Sequence, residues 1–367
     1  MHISDYDYHL PPDLIAQTPI ERRDESRMLV LHRDSGEIEH RTFRDLPEYL
    51  TPGDVIVLNE TRVIPARLPA TKTPTGGAAE ILLLRQLDDT RWIVIVGGKR
   101  VRTGTRLAVG QGNQIIEATV IEEHEENERV VAFDEPIRPY LDDLGETPLP
   151  PYITTPLEDA SRYQTIYARH EGSAAAPTAG LHFTGEMLLA LKRQGIAFAY
   201  CTLHIGLDTF APVREENIRE HKIHTERAIL TPDDAQIINN ARLQGKRIIA
   251  IGTTAVRTLE TAAIRSAAYG SQHNDPASVQ RTLTALDETS CPWRPVIAID
   301  EDTDLFITPG YRFRATDVML TNFHLPRSTL LMLVSAYVGR ERTLDTYQIA
   351  VEEKYRFYSL GDCCLFV

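Results

Sequence analysis

Hydrophobic and polar positions follow two different rhythms along this chain. Ala79–Leu84, Arg91–Val96, Thr105–Val109, Ile115–Ile121 and Arg129–Phe133 are short apolar runs punctuated by turn residues. Short strands at this spacing predict a small barrel or sandwich. Gly53–Asn59, Ala197–Leu203 and Arg247–Ile251 are instead nearly continuous apolar runs, the signature of buried strands. Helical spacing follows at Leu188, Leu189 and Leu191, through Leu259 and Ala263, and over Leu330–Val338, so strands and helices alternate. A buried strand precedes the barrel pattern, and the rest follow the Pro-rich hinge Pro148–Tyr152. The predicted fold is therefore a mixed α/β domain interrupted by an inserted small β-barrel, with junctions at 1–66, 67–147 and 148–367. Tyr269–Pro295 is polar and broken by Asn274, Asp275 and Pro276, and reads as a surface excursion rather than core.

Composition narrows the class. The 367 residues are 42% hydrophobic and 25% charged, ordinary for a globular protein with a sizeable core. No apolar run is long enough for a membrane span and the first residues lack a signal peptide's basic and apolar regions, so the expected compartment is the cytoplasm, with no membrane partner. Cys201, Cys291, Cys363 and Cys364 contain no C-x-x-C pair and read as reduced thiols. A net charge of −13 argues against indiscriminate nucleic-acid binding, which needs a basic surface. The local balance differs: Arg62 to Arg106 carries nine basic and three acidic residues, whereas Glu117 to Glu146 carries eleven acidic and two basic ones. The first stretch is a candidate nucleic-acid patch; two solvated β faces are the plainer alternative.

Candidate chemistry gathers where strands give way to turns. Pro177–Thr184 packs Thr178, Gly180 and His182 just before a helix that Thr184 is placed to cap. It reads either as a ligand wall or as a capped helix entry with a packed ring. Asn59–Arg67 follows the first buried strand, and Arg62 there suits a carboxylate or phosphate. Gly252–Arg257 joins a strand to a helix N-terminus, where free amides favour an anion, although it is neither a P-loop nor a three-glycine dinucleotide loop. Thr253 or Thr254 capping that helix is the competing reading. His204–Phe210 and Thr321–Thr329 each add a histidine beside a turn; with His182 this makes three imidazoles suited to proton transfer near neutral pH. Glu220–Glu226 holds two histidines three apart, without zinc-hydrolase spacing, so no metal site is expected.

Nine segments in order resemble the S-adenosylmethionine:tRNA ribosyltransferase-isomerase family of queuosine biosynthesis. They are Leu10–Gln17, Asn59–Arg67, Pro148–Ile153, Tyr163–Ala168, Pro177–Thr184, His204–Leu207, Gly252–Glu260, Thr321–Val334 and Tyr355–Ser359. The resemblance implies transfer and isomerisation of the ribosyl moiety of S-adenosylmethionine onto 7-aminomethyl-7-deazaguanine at the tRNA wobble position. Epoxyqueuosine tRNA, adenine and methionine are the implied products. No cofactor beyond S-adenosylmethionine as co-substrate is expected, and the chain is taken as a monomer. His182, His204 and His324 are the catalytic candidates. Asn59, Arg62, Thr178, Gly180, Thr253, Thr254, Arg257 and Asn322 are the substrate-binding candidates, and Lys99, Arg100 and Arg102 the tRNA contacts. Asp208, Ala211 and the length of Tyr269–Pro295 depart from the family pattern. An RNA methyltransferase and a noncatalytic tRNA-binding module are the competing functions, distinguished by whether adenine is released.

Overall fold

The strand Val55–Asn59 is buried at every position and organises a nine-stranded sheet in a computed structural model of the chain. The structure describes residues 2–112, 114–124, 128–206, 216–218, 221, 223, 225–286 and 294–367. Two units divide it: Met1–Thr61, Pro151–His170 and Pro177–Val367 form one, and Arg62–Pro150 with Glu171–Ala176 forms the other.

In chain order, β1 (Arg27–Leu31), β2 (Ile38–Thr42) and β3 (Val55–Asn59) lead to β4 (Thr61–Val63), at the passage out of the first unit. The second unit holds β5 (Arg67–Thr73), β6 (Ala78–Gln86), β7 (Arg91–Gly97), β8 (Arg106–Gln111), β9 (Gln114–Glu123), β10 (Glu128–Phe133) and a short α1 (Leu141–Leu144). Then come β11 (His170–Ser173), α2 (Gly185–Arg193), β12 (Ala197–Leu203), β13 (Glu226–Leu230), α3 (Pro232–Leu243) and β14 (Ile248–Ile251). The chain closes with α4 (Gly252–Ala267), α5 (Val279–Ala285), β15 (Ile299–Thr303), β16 (Val318–Asn322), α6 (Thr329–Val338), α7 (Arg340–Glu352) and β17 (Cys363–Phe366).

The large sheet runs β15-β13-β12-β3-β14-β16-β17-β1-β2, and its four central strands, β12 to β16, are parallel. Alternate residues enter opposite cores: Val55 and Val57 pack with α3 and α4, whereas Ile56 and Leu58 pack with Phe43, Met187 and Leu191. Both faces are thus covered, as a largely parallel sheet requires.

The second unit is a closed antiparallel barrel in the order β10-β7-β6-β5-β8-β9, so a mixed α/β fold does carry an inserted small barrel. Its sixth strand, β5, was hidden by Pro69 and by the polar Arg67 and Thr71, which alternate with the buried Leu68 and Ala70. The expected excursion at Tyr269–Pro295 is corrected in part. Tyr269 is exposed, but Val279 of α5 is fully buried in the core. Arg265 of α4 reaches the segment through Asn274 Oδ1 at 2.8 Å and Thr282 Oγ1 at 2.9 Å. A buried guanidinium needs such acceptors, which explains a polar segment in the core. Residues 287–293, with Cys291, lie outside the described residues. The described cysteines Cys201, Cys363 and Cys364 are free and buried.

Asp54, at the start of β3, is 1% exposed and accepts the Arg247 backbone N–H at 3.1 Å, Arg247 Nη2 at 2.6 Å and the Thr51 N–H at 2.9 Å. Burial pushes its pKa up, but those donors outweigh it and hold the carboxyl below its ordinary range. Replacing Asp54 by Ala should therefore lower stability by about 3 kcal/mol, because it strands donors at the β3–β14 seam. Because the folded value is depressed, this contribution is present near neutrality and lost as pH falls through the carboxylate range. Denaturant unfolding of both proteins at pH 7 and pH 3.5 should show the difference shrinking at the lower pH.

Candidate active site

The carboxyl ends of β12, β3, β14 and β16 open on one edge of the sheet, where parallel α/β folds place ligand groups. They deliver, in that order, His204, Asn59 with Glu60 and Thr61, Gly252 to Thr254, and Asn322 to His324. The 3-10 turn Thr178–His182 packs at the same edge.

Asn59 is 1% exposed, and its amide is spent on backbone. Nδ2 donates to Leu203 O at 3.1 Å, while Oδ1 accepts from Leu203 N and Thr61 N, each at 3.1 Å. The result joins the ends of β3 and β12 and sets the next residue, His204, with Nδ1 2.8 Å from Thr61 Oγ1. His204 is half-buried, the most open of the three candidate rings.

β14 enters α4 through Gly252 at φ +85°, a left-handed backbone that favours glycine. A Cβ there would meet Ala179 Cβ at 3.4 Å, so this turn lies against the Thr178–His182 segment. Neither Thr253 nor Thr254 caps the helix: the cap position is Ile251, with no side-chain bond. Thr253 is buried, and Thr254 Oγ1 is buried without a hydrogen-bond partner among the described residues. The uncapped first turn of this 16-residue helix leaves amides and a positive dipole end for an anion.

Asn322, 3% exposed, links β16 to the same turn. Its Oδ1 accepts from Thr178 Oγ1 at 3.0 Å, and Nδ2 lies 3.3 Å from Asp362 O and 3.4 Å from His182 Nε2. The Asp362 carbonyl can only accept, which orients the amide and makes His182 Nε2 an acceptor. Burial, together with the Arg23 guanidinium, pushes the His182 ring down to about 4, so it is neutral at pH 7. His324 is also buried; its Nε2 is 2.9 Å from Thr321 Oγ1, and burial pushes it down to about 3. Three strand spacings separate the β12 and β16 ends, ~14 Å, so His204 with Thr61 stands apart from the β16 end, where Asn322 meets His182 and Thr321 meets His324.

Gly180 is required by close approach, because a Cβ there would overlap the Tyr167 hydroxyl. Arg257 is drawn into the fold. It pairs with buried Glu226, and its Nε donates to Leu305 O at 3.3 Å. Burial brings it down to about 10, which leaves it charged at neutrality. Glu226 also accepts the Gly206 N–H at 3.3 Å, so two of the sequence motifs meet at this carboxylate. Sequence reasoning passed over Glu60, which is 6% exposed and 3.3 Å from His170 Nε2, with its carboxyl pushed up by burial. Glu60 lay inside a quoted motif, but only its burial distinguishes it from a surface acid.

Arg62, Lys99, Arg100 and Arg102 belong to the barrel unit. Arg62 is exposed and 3.9 Å from Glu171. Much of the basic run is paired, as in Arg91 with Asp88 and Arg106 with Glu117. Lys99, Arg100 and Arg102 are exposed on the β7–β8 loop and have no ion pair among the described residues. Residues 207–215, with Asp208 and Ala211, lie outside the described residues, as do 219, 220, 222 and 224 of the histidine pair segment. Among the described residues, no three His, Cys, Asp or Glu side chains gather as metal ligands, and no helix is long and apolar enough to cross a membrane.

Comparisons with known proteins give the family. The family described as a queuosine biosynthesis protein matches residues 3–366. An S-adenosylmethionine:tRNA ribosyltransferase-isomerase of Moorella thermoacetica is 50% identical over 369 residues, covering 100% of this chain and 99% of that protein. The protein of the same name from Acetivibrio thermocellus is 47% identical, covering 99% and 98%. The crystal structure of an S-adenosylmethionine tRNA ribosyltransferase from Thermotoga maritima is 35% identical, covers 99% of this chain and 100% of that one, and has a TM-score of 0.52. With a match from end to end, the chain belongs to the queuosine biosynthesis family.

Proposed function

We infer that this chain is an S-adenosylmethionine:tRNA ribosyltransferase-isomerase. It transfers and isomerises the ribosyl moiety of S-adenosylmethionine onto 7-aminomethyl-7-deazaguanine at the wobble position of tRNA, yielding epoxyqueuosine tRNA, adenine and methionine. The carrying observation is the single sheet edge that gathers Asn322, Thr178, His182, His204 and the uncapped α4 turn, in a chain matched over residues 3–366.

The sulfonium of S-adenosylmethionine acidifies the C5′ hydrogens of the ribose, so a base positioned there starts the reaction and adenine departs. The deazaguanine amine then attacks the activated sugar fragment, and epoxide closure releases methionine. A neutral imidazole carries the lone pair this first step needs, and burial keeps His182 and His324 neutral. His204 is the ring most accessible to a substrate. The small residues and buried walls of the Thr178–His182 turn help to keep water from reactive intermediates. The exposed cations Lys99, Arg100 and Arg102, which have no ion pair among the described residues, suit the phosphates of a folded anticodon arm.

Incubation with S-adenosylmethionine and tRNA carrying the deazaguanine precursor should release adenine and methionine. Methyl transfer without adenine would instead identify a methyltransferase, and tight tRNA binding with no turnover a binding module. Single-turnover adenine release should fall at least ~100-fold in one of His182→Gln, His204→Gln or His324→Gln, the scale of a lost general base. Three near-normal rates in folded proteins would remove the histidines from the chemistry. If His182 or His324 is the base, adenine release should hold its plateau as pH falls from 7 to 5, because protonation of either ring comes only at about 4 or 3. A loss centred near 6.5, the ordinary imidazole value, would contradict both. Charge reversal of Lys99, Arg100 and Arg102 together should weaken tRNA binding and flatten its salt dependence; unchanged affinity and slope would place the tRNA contact elsewhere.

A further inference from the structure

The arginines singled out for an anion are already engaged: Arg257 holds Glu226 inside the fold, and Arg62 lies beside Glu171 in the barrel unit. Three others converge at a different place. Arg23 and Arg162 line one cleft with His182, Arg356 acts on the same ring by charge alone, and all three give their side-chain hydrogen bonds to backbone carbonyls. Arg23 donates to Gln164 O at 2.8 Å, Ser161 O at 3.0 Å and Leu181 O at 3.2 Å. Arg162 donates to Ile20 O at 2.5 Å, and Arg356 to Thr18 O. Carbonyls orient a guanidinium but do not neutralise it. No carboxylate lies within ion-pair distance of the three among the described residues. Two acids act on them at longer range: exposed Asp159, which accepts from Ser161 N at 2.8 Å, on Arg23 and Arg162, and buried Asp362 on Arg356.

Like charges therefore face one another across a half-buried cleft. Arg162 lowers the Arg23 guanidinium after burial itself, and both Arg23 and Arg356 act on the His182 ring. Arg162 Nε is buried with no hydrogen-bond partner among the described residues, a cost that a bound acceptor would remove. Arg23, Arg162, Ser26, His182, Ser359 and Gly361 line this half-open cleft, which has a volume of about 20 Å³. That is the scale of one water-sized oxygen. One oxygen of a carboxylate fits there.

We propose that Arg23 and Arg162 form a carboxylate-binding subsite beside His182, which takes the amino-acid end of S-adenosylmethionine. The proposal rests on the function inferred above and assigns the anion-holding role to residues outside the anion motifs. A planar guanidinium matches a carboxylate in shape as well as charge. Anchoring this end directs the sulfonium and its C5′ carbon relative to the neutral ring.

Equilibrium binding of S-adenosylmethionine and of its decarboxylated analogue tests the subsite without relying on a variant. Wild-type protein should bind the analogue on the order of 10- to 100-fold more weakly, the scale of charged hydrogen bonds lost. Arg162→Met should weaken S-adenosylmethionine to the same degree and leave the analogue unchanged, while Arg162→Lys should restore part of the difference. Thermal unfolding of each variant reports whether the Ile20 contact matters for folding. Equal binding of the two ligands by wild type, or equal weakening of both by Arg162→Met, overturns the proposal. Loss of tRNA affinity alone would place a backbone phosphate there and overturn it as well. Carboxylate-dependent binding without adenine release would sink the inferred function and keep the subsite. Adenine release with no preference for the carboxylate would do the reverse.

Discussion

Buried side chains that bond to the backbone of a neighbouring strand are the constraint on which the rest of this structure depends. Where both faces of a sheet are apolar, a strand displaced by two residues would bury nearly the same side chains, so hydrophobicity specifies register weakly. Directional polar bonds supply what is missing. Asp54 holds the start of β3 against β14, and Asn59 holds its end against β12. Asp317, just before β16, accepts Ile248 N at 2.8 Å, and Asp362, just before β17, accepts Arg27 N at 2.9 Å. These clamps align the strand ends, and the candidate site is made of strand ends.

The same economy governs α4, buried along most of its length although it carries Arg257, Glu260 and Arg265. Glu260 is fully buried; burial pushes its carboxyl up, against four donors: Tyr311 OH at 2.8 Å, Arg314 N at 2.8 Å, Ala315 N at 3.0 Å and Thr316 Oγ1 at 2.9 Å. Removing any partner would leave a buried polar group unmet, so these bonds fasten the 311–316 segment to the helix. Arg257 and Glu226 do likewise for the segment at Leu305 and Gly206. A helix that looks like an anion site at its first turn is thus a structural hub along the rest of its length.

Much of this was legible locally. The runs Ala197–Leu203 and Leu330–Val338 fall on β12 and α6 because burial and periodicity coincide there. Thr184 caps α2 by accepting Met187 N at 3.2 Å, as its type and position require. β5 was obscured by its proline and alternating polar residues, and β17 by its shortness and its two adjacent cysteines, which are fully buried between β16 and β1. The packed segment around Val279 was obscured because its polar residues satisfy Arg265 rather than water. Among site residues, histidines at turns were conspicuous, whereas Glu60, Arg23 and Arg162 differ from surface charges only in their surroundings.

By itself, the sequence determined that an α/β domain is interrupted by a barrel and which family the motifs match, and it nominated the turns proposed for the chemistry. Those properties follow from local periodicity and from the order of short segments. Only the tertiary structure decided which turns meet. Strand order is not chain order, so Asn322 reaches Thr178 across 144 positions of sequence while Arg257 turns inward to Glu226. Burial and hydrogen-bond partners, which no single segment encodes, separate a histidine held neutral from one left half open, and a cation spent on the fold from one left for a ligand.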